Sequence, residues 1–314
     1  MHNSRSRLVH DRRRRIWSTA FSDKAIRGYE ARVRPYAAQL TKQLRAFGGQ
    51  PVNAAEWFNF FSFDVMGDVG FNTSFQMLEK GEEHWAIQLL NEGMEPLALM
   101  LPEWLFRVIV AIPGAAGGYW KFIKFCQDAV EKRMRQSPHI PDIMSSLLLP
   151  YEKGGPPEGV ERGMLHGDSR LVIVAGSDTT AATLTYLFYH LCKNPEYVSK
   201  LREELAPYVK AGGDAENTDI QKCELLNGAI NEALRLNPPV PTQVQRVTPP
   251  EGIEIDGQHI PGGCKVWSPQ YVVSRDESVY KDALAFVPER WCSRPEMVTN
   301  GGSESTWTRI HSLQ

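Results

Sequence analysis

Apolar residues run almost without interruption from Leu171 to Leu191, and this run predicts a long buried helix. It ends at Asn194 and Pro195, and the proline suits the first turn of a second helix, Glu196 to Leu205. The middle of the run, residues 175–180, reads AGSDTT. Glycine costs about 1 kcal/mol relative to alanine inside a helix, and Ser, Asp and Thr are weak helix formers. Packing alone does not explain this polar notch, which therefore predicts a chemical role.

The chain before this run is predicted to be mostly helical. Amphipathic spacing from Arg12 to Phe47 predicts helices that break at residues 21–23, with a cap at Ser22 or Asp23. Apolar helical segments between Glu79 and Arg135 are interrupted at Pro102 and at residues 113–118. The stretch from 149 to 163 is rich in Pro and Gly, and it predicts an exposed connection into the long helix.

The pattern changes after Pro239. Ile253 and Ile255 alternate with polar residues and lead into Asp256 and Gly257, which is typical of a hairpin turn. A strand-like region is predicted to continue over residues 266–272, including Val266, Trp267 and Val272. The predicted fold class is mainly α with a small β region.

One predicted helix carries a charged pair. Between Cys223 and Leu236, Glu232 and Arg235 lie at positions i and i+3 on a largely apolar helix. A solvent-exposed pair is the commoner arrangement and contributes only a few tenths of a kcal/mol. If the pair is buried, it needs further partners to offset desolvation, and Arg290 of the segment PERW could supply one.

Composition narrows the function classes. The formal net charge of -2 argues against a nucleic-acid binder, despite the basic run at residues 12–15. The 5 cysteines are scattered without CxxC spacing, which predicts a reducing compartment rather than a disulfide framework or a zinc site. The polar, basic start shows no apolar signal, so a cytoplasmic location is expected for the chain as written.

The long apolar run has two other interpretations. It is close to the ~20 residues of a membrane span, although Asp178 near its middle disfavours a lone span. It could also be a core helix whose hydroxyls bond back to their own backbone, which accommodates Thr183 and Thr185 but not an acid beside a glycine.

Taken in order, four motifs resemble one family. The motifs are a helix with AGSDTT, a helix with Glu-x-x-Arg, a β-hairpin and the segment PERW. Together they resemble the cytochrome P-450 (haem-thiolate) monooxygenases, and the motif sequences are most similar to those of filamentous-fungal members. The opening HDRRRR at 10–15 and AFS at 20–22 is similar to the family's helix beside the haem propionates. The resemblance implies a partial cytochrome P-450 domain over residues 1–298, followed by a tail outside the family at 299–314.

For the polar notch, the resemblance implies an oxygen-handling role on the distal side of a haem. Thr179 matches the family's threonine that hydrogen-bonds the oxygen on the iron, and Asp178 matches the acid that helps to relay protons. Gly176 would open the distal face, and Ala175 is expected to bind the cofactor beside it. Proton delivery of this kind suits a site from which bulk water is largely excluded.

Other residues would hold the cofactor. The resemblance implies that Arg14 and Arg246 bind the propionates, with His10 where many members place a tryptophan, although Arg14 could instead belong to a solvated basic run. Glu232, Arg235 and Arg290 would form a structural triad beneath the haem. The family also implies a small apolar organic substrate under helices between residues 79 and 135, and electrons from an NADPH-dependent reductase.

The sequence departs from the family at the iron ligand. In the family a cysteine thiolate holds the haem iron, in a loop Phe-x-x-Gly-x-Arg-x-Cys-x-Gly that should follow PERW by about twenty residues. That loop does not occur here, because residues 299–314 contain no cysteine. Cys292 is too close to Arg290 to replace the missing ligand, and Cys264 belongs to the hairpin region. The expected metal ligand is therefore missing, which implies a gene product that stops early, retains an intron or is wrongly assembled.

The resemblance implies that the front of the family's fold is not part of this sequence either. The membrane anchor, which holds full-length relatives at the endoplasmic reticulum, and the first β-strands have no counterpart in this sequence. If about 1,000 Å² of apolar burial were lost with the haem and the ligand loop, the fold would lose up to about 25 kcal/mol of stabilising free energy. We therefore expect the chain alone to fold poorly.

Three hypotheses remain. The chain is a haem-dependent monooxygenase, a catalytically inactive truncated remnant without the thiolate, or a membrane-associated helical protein in which the polar notch is only a kink.

Overall fold

A computed structural model describes residues 6–90, 103–112, 114, 116–136, 139–151, 158–210, 215–242, 245–255 and 257–298. The chain divides into two compact units, Met1–Ala181 and Ala182–Gln314. The predicted tail at 299–314, Pro102, Pro113 and Asp256 lie outside the described residues.

The first unit is helical in its described part. Its helices are α1 (Arg7–Ala20), α2 (Asp23–Ala46), α3 (Ala54–Phe71), α4 (Met77–Lys80), α5 (Glu103–Ala111), α6 (Gly117–Met134), α7 (Ile143–Leu148) and the first part of α8 (Gly159–Lys193). The predicted break at 21–23 is confirmed, because the Ser22 hydroxyl accepts a hydrogen bond from the amide of Ala25 at the start of α2.

The core of the first unit gathers side chains from α1, α3, α4, α6, α7 and α8. It includes buried Trp17, Phe63, Leu78, Leu147 and Ile173. Glycines allow α3 and α8 to approach closely: a Cβ added at Gly70 would lie 2.8 Å from Val172 Cγ1. The elements around the polar notch are therefore closely packed.

Helix α8 is longer than the sequence predicts. It begins at Gly159 rather than Leu171, so the end of the predicted exposed connection is already helical, while residues 149–151 form a 3₁₀ turn. The extension has tertiary partners, because Glu161 accepts a hydrogen bond from Tyr151 at 2.6 Å and Arg162 pairs with Glu131 at 2.7 Å. These contacts outweigh the weak helix propensity of the glycines near its start.

By length and composition, α8 could cross a membrane, and of the described helices only α8 passes that test. A core helix of a soluble protein passes it too. Asp168, Ser169 and Ser177 of α8 are buried, but only 28% of its most apolar window is buried among the described residues.

The second unit combines helices with two small sheets. It contains the rest of α8, then α9 (Pro195–Leu205), α10 (Asn217–Ile220), α11 (Glu224–Leu236), α12 (Gln270–Val273), β1 (Arg246–Val247), β2 (Ile253–Ile255), β3 (Gln258–Ile260) and β4 (Lys265–Val266). The end of α8 before Pro195 and the helix ending at Leu236 are confirmed.

The predicted hairpin is confirmed. Strands β2 and β3 pair antiparallel with Ile253 opposite Ile260, and Gly257 in the turn has a positive φ of 72°. Strand β4 pairs with β1. The expected extension of strand structure to Val272 is wrong, because residues 270–273 form the short helix α12. Its N-cap is Pro269, which lacks the amide proton that a strand ladder needs.

Candidate functional site

The polar notch, residues 175–180, is continuous helix within α8. Its hydroxyls bond back along the helix: Thr179 Oγ1 donates to the Ala175 carbonyl at 2.6 Å, Thr180 Oγ1 to the Gly176 carbonyl at 3.0 Å and Ser177 Oγ to the Ile173 carbonyl at 2.9 Å. Such bonds draw hydroxyl protons onto backbone carbonyls one turn earlier. The pattern raised for Thr183 and Thr185 therefore also occurs in the notch itself.

Asp178 differs from its hydroxyl-bearing neighbours. Its side chain is half-buried, and no hydrogen bond or ion pair links its carboxylate to another residue of the described part of the chain. Burial raises the pKa of this carboxyl above its ordinary value, because desolvation disfavours the charged form. Asp178 is thus an acid biased towards holding its proton.

Gly176 has a packing role in this structure. A Cβ added at Gly176 would lie 2.5 Å from Met66 Cε and 2.7 Å from Met66 Sδ. The space left by the missing side chain is thus filled by a methionine of α3. Ala175, one position earlier, is exposed, so the open side of the notch lies at Ala175 and Thr180 rather than at Gly176.

The basic run on α1 splits into buried and exposed members. Arg13 is 2% exposed and its guanidinium pairs with the carboxylate of Asp168 on α8, which is 0% exposed. Arg14 is exposed, and the ring of half-buried His10 lies 3.0 Å from the Asp11 carboxylate. The hydrogen bond to His10 is the main cause of the lowered pKa of Asp11, with the charges of Arg7 and Arg14 adding to it.

Arg246 lies in β1 of the second unit. Its side chain is exposed and donates from Nη1 to the carbonyl of the preceding Gln245 at 3.1 Å. Both arginines expected to bind propionates are therefore accessible, whereas Arg13 of the same basic run is fully enclosed.

The three charged residues of the expected triad are brought together in the second unit. Glu232 pairs with Arg235 at 2.8 Å and with Arg290 at 3.2 Å, and the three side chains are 0–2% exposed. Arg235 grips both carboxylate oxygens, through Nε and Nη2, each at 2.8 Å. This bidentate geometry is the strong form of a charge-assisted hydrogen bond.

Further groups complete the triad. The indole of Trp291 and the amide of Val287 donate to Glu232 at 2.8 and 3.0 Å. Arg235 Nη1 donates to the carbonyls of Ser274 and Ala283, and Arg290 Nη1 donates to those of Lys281 and Met297. Helix α11, the PERW segment and the loop between them are thereby joined in one buried hydrogen-bond network.

Opposing effects act on the pKa of Glu232. Burial by itself raises it, but the hydrogen bonds and charge of Arg235, with the donors from Val287 and Trp291, outweigh burial and lower the pKa. The glutamate is therefore held as a carboxylate.

Some participants were missed by sequence reasoning. Asp168 was not singled out, although a buried acid early in α8 mirrors Asp178 later in the same helix. Trp291 was interpreted only as part of a motif, yet its indole N–H donates a hydrogen bond to Glu232. Neither residue stands out locally, because residues 166–170 include no apolar side chain and Trp291 follows two charged residues, so only the fold supplied its partner.

The five cysteines are free thiols, and Cys192 is exposed. Cys126 is buried on α6, and burial raises the pKa of its thiol to about 12. Cys292 follows the PERW turn with Sγ 3.9 Å from the carbonyl of Pro288. Within the described ranges no three His, Cys, Asp or Glu side chains cluster as metal ligands.

Comparison with known proteins decides the family. The family model described as Cytochrome P450 matches residues 2–304. The chain belongs to the cytochrome P450 family. The resemblance drawn from its motifs is confirmed, and haem is the cofactor of that family.

The relatives are fungal P450 enzymes. The chain is 44% identical over 299 residues to the cytochrome P450 monooxygenase notG' of Aspergillus versicolor, covering 95% of this chain and 55% of that protein. It is 43% identical over 301 residues to a tryprostatin B 6-hydroxylase of Neosartorya fischeri, with 95% and 55% covered. The chain thus spans about half the length of the curated relatives it matches.

The fold class is confirmed as a partial P450 fold. A crystal structure of the cytochrome P450DA heme domain superposes with a TM-score of 0.73 at 20% sequence identity, covering 90% of this chain and 62% of that one. At this identity the likeness concerns the fold alone.

Proposed function

We propose that this chain forms the oxygen-facing wall of a haem-dependent monooxygenase, which inserts one atom of O₂ into an apolar organic substrate of fungal secondary metabolism. An NADPH-dependent reductase would supply the electrons. The family membership supports the reaction class, and the fungal P450 relatives support the biological setting.

Asp178 is the observation that carries the proposal. It is an acid in the middle of an apolar helix, without a cationic partner among the described residues, and burial raises its pKa. An acid whose pKa is closer to the working pH transfers protons more efficiently. Asp178 would hold a proton at its carboxyl, and the Thr179 hydroxyl would be a second polar group at the same site.

Residues of the first unit would line one side of a haem. Exposed Arg14 is a cation of the kind that carboxylates of a porphyrin require, and Arg246 of the second unit stays a separate expectation from the sequence. Ala175 presents a small, exposed side chain on α8 beside the Thr179 hydroxyl, so a flat group can approach this part of the helix. When bound, haem supplies the oxygen and electron chemistry that side chains cannot.

Glu232, Arg235 and Arg290 have a supporting role in this proposal. Their polar groups are turned towards one another and towards backbone carbonyls. They would keep α11 and the PERW segment in register, and they would not touch substrate.

The alternative is a catalytically inactive remnant. It differs from the monooxygenase in having no thiolate to hold the haem iron.

The absorption spectrum of the reduced, carbon-monoxide-treated protein, measured together with its iron content, tests the proposal. A monooxygenase should contain one haem iron per chain and show a thiolate-type Soret band. Absence of iron, or a spectrum without the thiolate band, would support the remnant instead.

A variant tests the role of Asp178. Replacing Asp178→Asn should lower product formation about 100-fold, the order of a general acid's contribution, while iron content stays unchanged. Asp128→Asn on α6 is the matched control, since that acid is 61% exposed and pairs only with Lys124 of its own helix among the described residues. Equal turnover of the two variants would contradict the proton-transfer role.

A further inference from the structure

A buried ion pair on α1 has no part in the roles described so far. The guanidinium of Arg13 binds the carboxylate of Asp168, and the two side chains are 2% and 0% exposed. The same guanidinium lies 3.4 Å from the Tyr151 hydroxyl, which donates to Glu161 at 2.6 Å. Arg13 therefore ties α1 to α8 and to the turn that precedes it.

The pair fixes how α1 is rotated about its own axis. Arg13, Trp17 and Ala20 are the buried residues of this helix. His10 and Arg14 are four positions apart and lie on a neighbouring face, because successive residues turn by about 100°. With Arg13 held inward, the side chain of Arg14 is directed out to solvent.

Asp168, the partner of Arg13, lies on the same stripe of α8 as two residues of the polar notch. Residues 168, 175 and 179 are seven and four positions apart, so in a regular helix they fall on one stripe about 16 Å long. Asp168 is buried at one end of this stripe, while Ala175 and Thr179 are at the other, where Ala175 is exposed. The ion pair thus anchors α1 on the side of α8 that carries Ala175, one of the two exposed residues of the notch.

Stability alone is a weak reason to bury such a pair. Desolvating two charges costs about as much as their attraction returns, and apolar replacements are often neutral or stabilising. What a buried pair adds is a defined orientation, because turning α1 about its axis would separate the Arg13 guanidinium from the Asp168 carboxylate.

We propose that Arg13 and Asp168 are positioning residues that present Arg14 to the carboxylates of a porphyrin lying along the stripe of Ala175 and Thr179. This inference rests on the proposed haem site and adds a cause for the direction of Arg14. Arg14 contacts the porphyrin, whereas Arg13 and Asp168 act only by orienting Arg14.

The test uses metal-free protoporphyrin IX, because this probe carries the two carboxylates but needs no axial ligand. Its dissociation constant is measured by tryptophan fluorescence quenching on the full chain. Arg14→Gln should weaken binding about tenfold, which corresponds to about 1.4 kcal/mol. The dimethyl ester of the probe has no carboxylate, and its affinity should not respond to Arg14→Gln.

A double-mutant cycle separates positioning from simple destabilisation. Asp168→Asn should also weaken binding about tenfold, but in an Arg14→Gln background it should have little further effect, because the group it positions is gone. Additive losses would overturn the proposal. So would a wild-type chain that binds neither form of the probe.

The first unit provides a matched control. Arg133 on α6 and Asp142 form a second buried ion pair, with side chains 4% and 0% exposed and an N–O distance of 2.6 Å. Asp142→Asn should lower thermal stability without a change in probe affinity at temperatures where the variant is folded. An equal loss of affinity in Asp142→Asn would show that any damage to the unit reduces binding, and would overturn the proposal.

Failure of the proposed monooxygenase function would look different. A chain that binds protoporphyrin IX with the predicted Arg14 coupling, but takes up iron protoporphyrin without a thiolate Soret band, would keep the positioning role and lose the activity.

Discussion

Two carboxyl groups on apolar helices have opposite surroundings in this molecule. Glu232 on α11 is fully enclosed, and two arginines, an indole and a backbone amide satisfy it, so its pKa is lowered. Asp178 on α8 is half-buried without a charged partner among the described residues, and burial raises its pKa. The difference teaches that burial alone does not define an acid's role: a fully partnered carboxylate holds structure, whereas a poorly partnered one can exchange a proton.

The largest effect is expected from removing the charge of Glu232. Glu232→Gln would leave two buried guanidinium groups without their common anion, and it should cost about 3–5 kcal/mol of unfolding free energy. Urea denaturation followed by far-UV circular dichroism measures this cost. Glu296→Gln is the control, because that side chain is 68% exposed beside Arg294 and its loss should cost less than about 0.5 kcal/mol. Equal midpoints for the two variants would contradict the structural role of the triad.

The two regions should also differ in their tolerance of an added methyl group. A Cβ at Gly228 would lie 2.5 Å from the carbonyl oxygen of Pro288, part of a backbone turn, whereas the atoms nearest to a Cβ at Gly176 belong to the flexible side chain of Met66. Gly228→Ala should therefore destabilise by roughly 2 kcal/mol. Gly176→Ala should change stability by less than about 1 kcal/mol, because the gain in helix propensity offsets the shift of Met66.

Denaturation midpoints of the two alanine variants check this pair of expectations. A loss at Gly176 equal to that at Gly228 would mean that Met66 cannot move, and the notch would be as rigid as the triad.

The pH dependence of stability should have opposite signs at the two acids. Because the pKa of folded Glu232 is lowered, its contribution is fully present above the unfolded value of about 4.3 and is lost as pH falls through the folded pKa. Because the pKa of folded Asp178 is raised, its charged form opposes folding at neutral pH, and this cost disappears as pH falls towards about 3.9.

Asp178→Asn should accordingly stabilise the chain at pH 7 by up to roughly 1 kcal/mol, because the neutral amide carries no charge to desolvate. The gain should vanish below about pH 3.9. Unfolding free energies of wild type and variant across this range provide the measurement. A gain that is independent of pH would show that the charge of Asp178 is not its cause.

The smallest effect is expected at Thr179. Thr179→Val removes a hydroxyl that bonds to its own helix at the Ala175 carbonyl, so stability should change by no more than about 0.5 kcal/mol. A much larger loss, measured by the same denaturation, would give this hydroxyl a structural role comparable to that of the triad.

Particular elements show how far sequence reasoning reaches. The end of α8 before Pro195 follows from proline's missing amide proton, and the β2–β3 hairpin follows from apolar alternation and Gly257. The start of α8 at Gly159 did not follow, because its first turns depend on Tyr151, Glu131 and Arg13, which lie elsewhere in the chain. Val272 was misassigned, because a helix of only four residues after Pro269 is too short to show helical periodicity in the sequence.

The sequence by itself determined the family, the fold class, the acid in the long helix and the membership of the buried triad, because each depends on residue types at short or ordered spacings. Tertiary structure alone decided which arginine of the basic run is buried, since Arg13 and Arg14 differ only in the face of α1 they occupy and in the Asp168 carboxylate that one of them reaches. It also decided that Met66 fills the space at Gly176. Packing between helices distant in sequence depends on which faces meet, and residue order does not specify that locally.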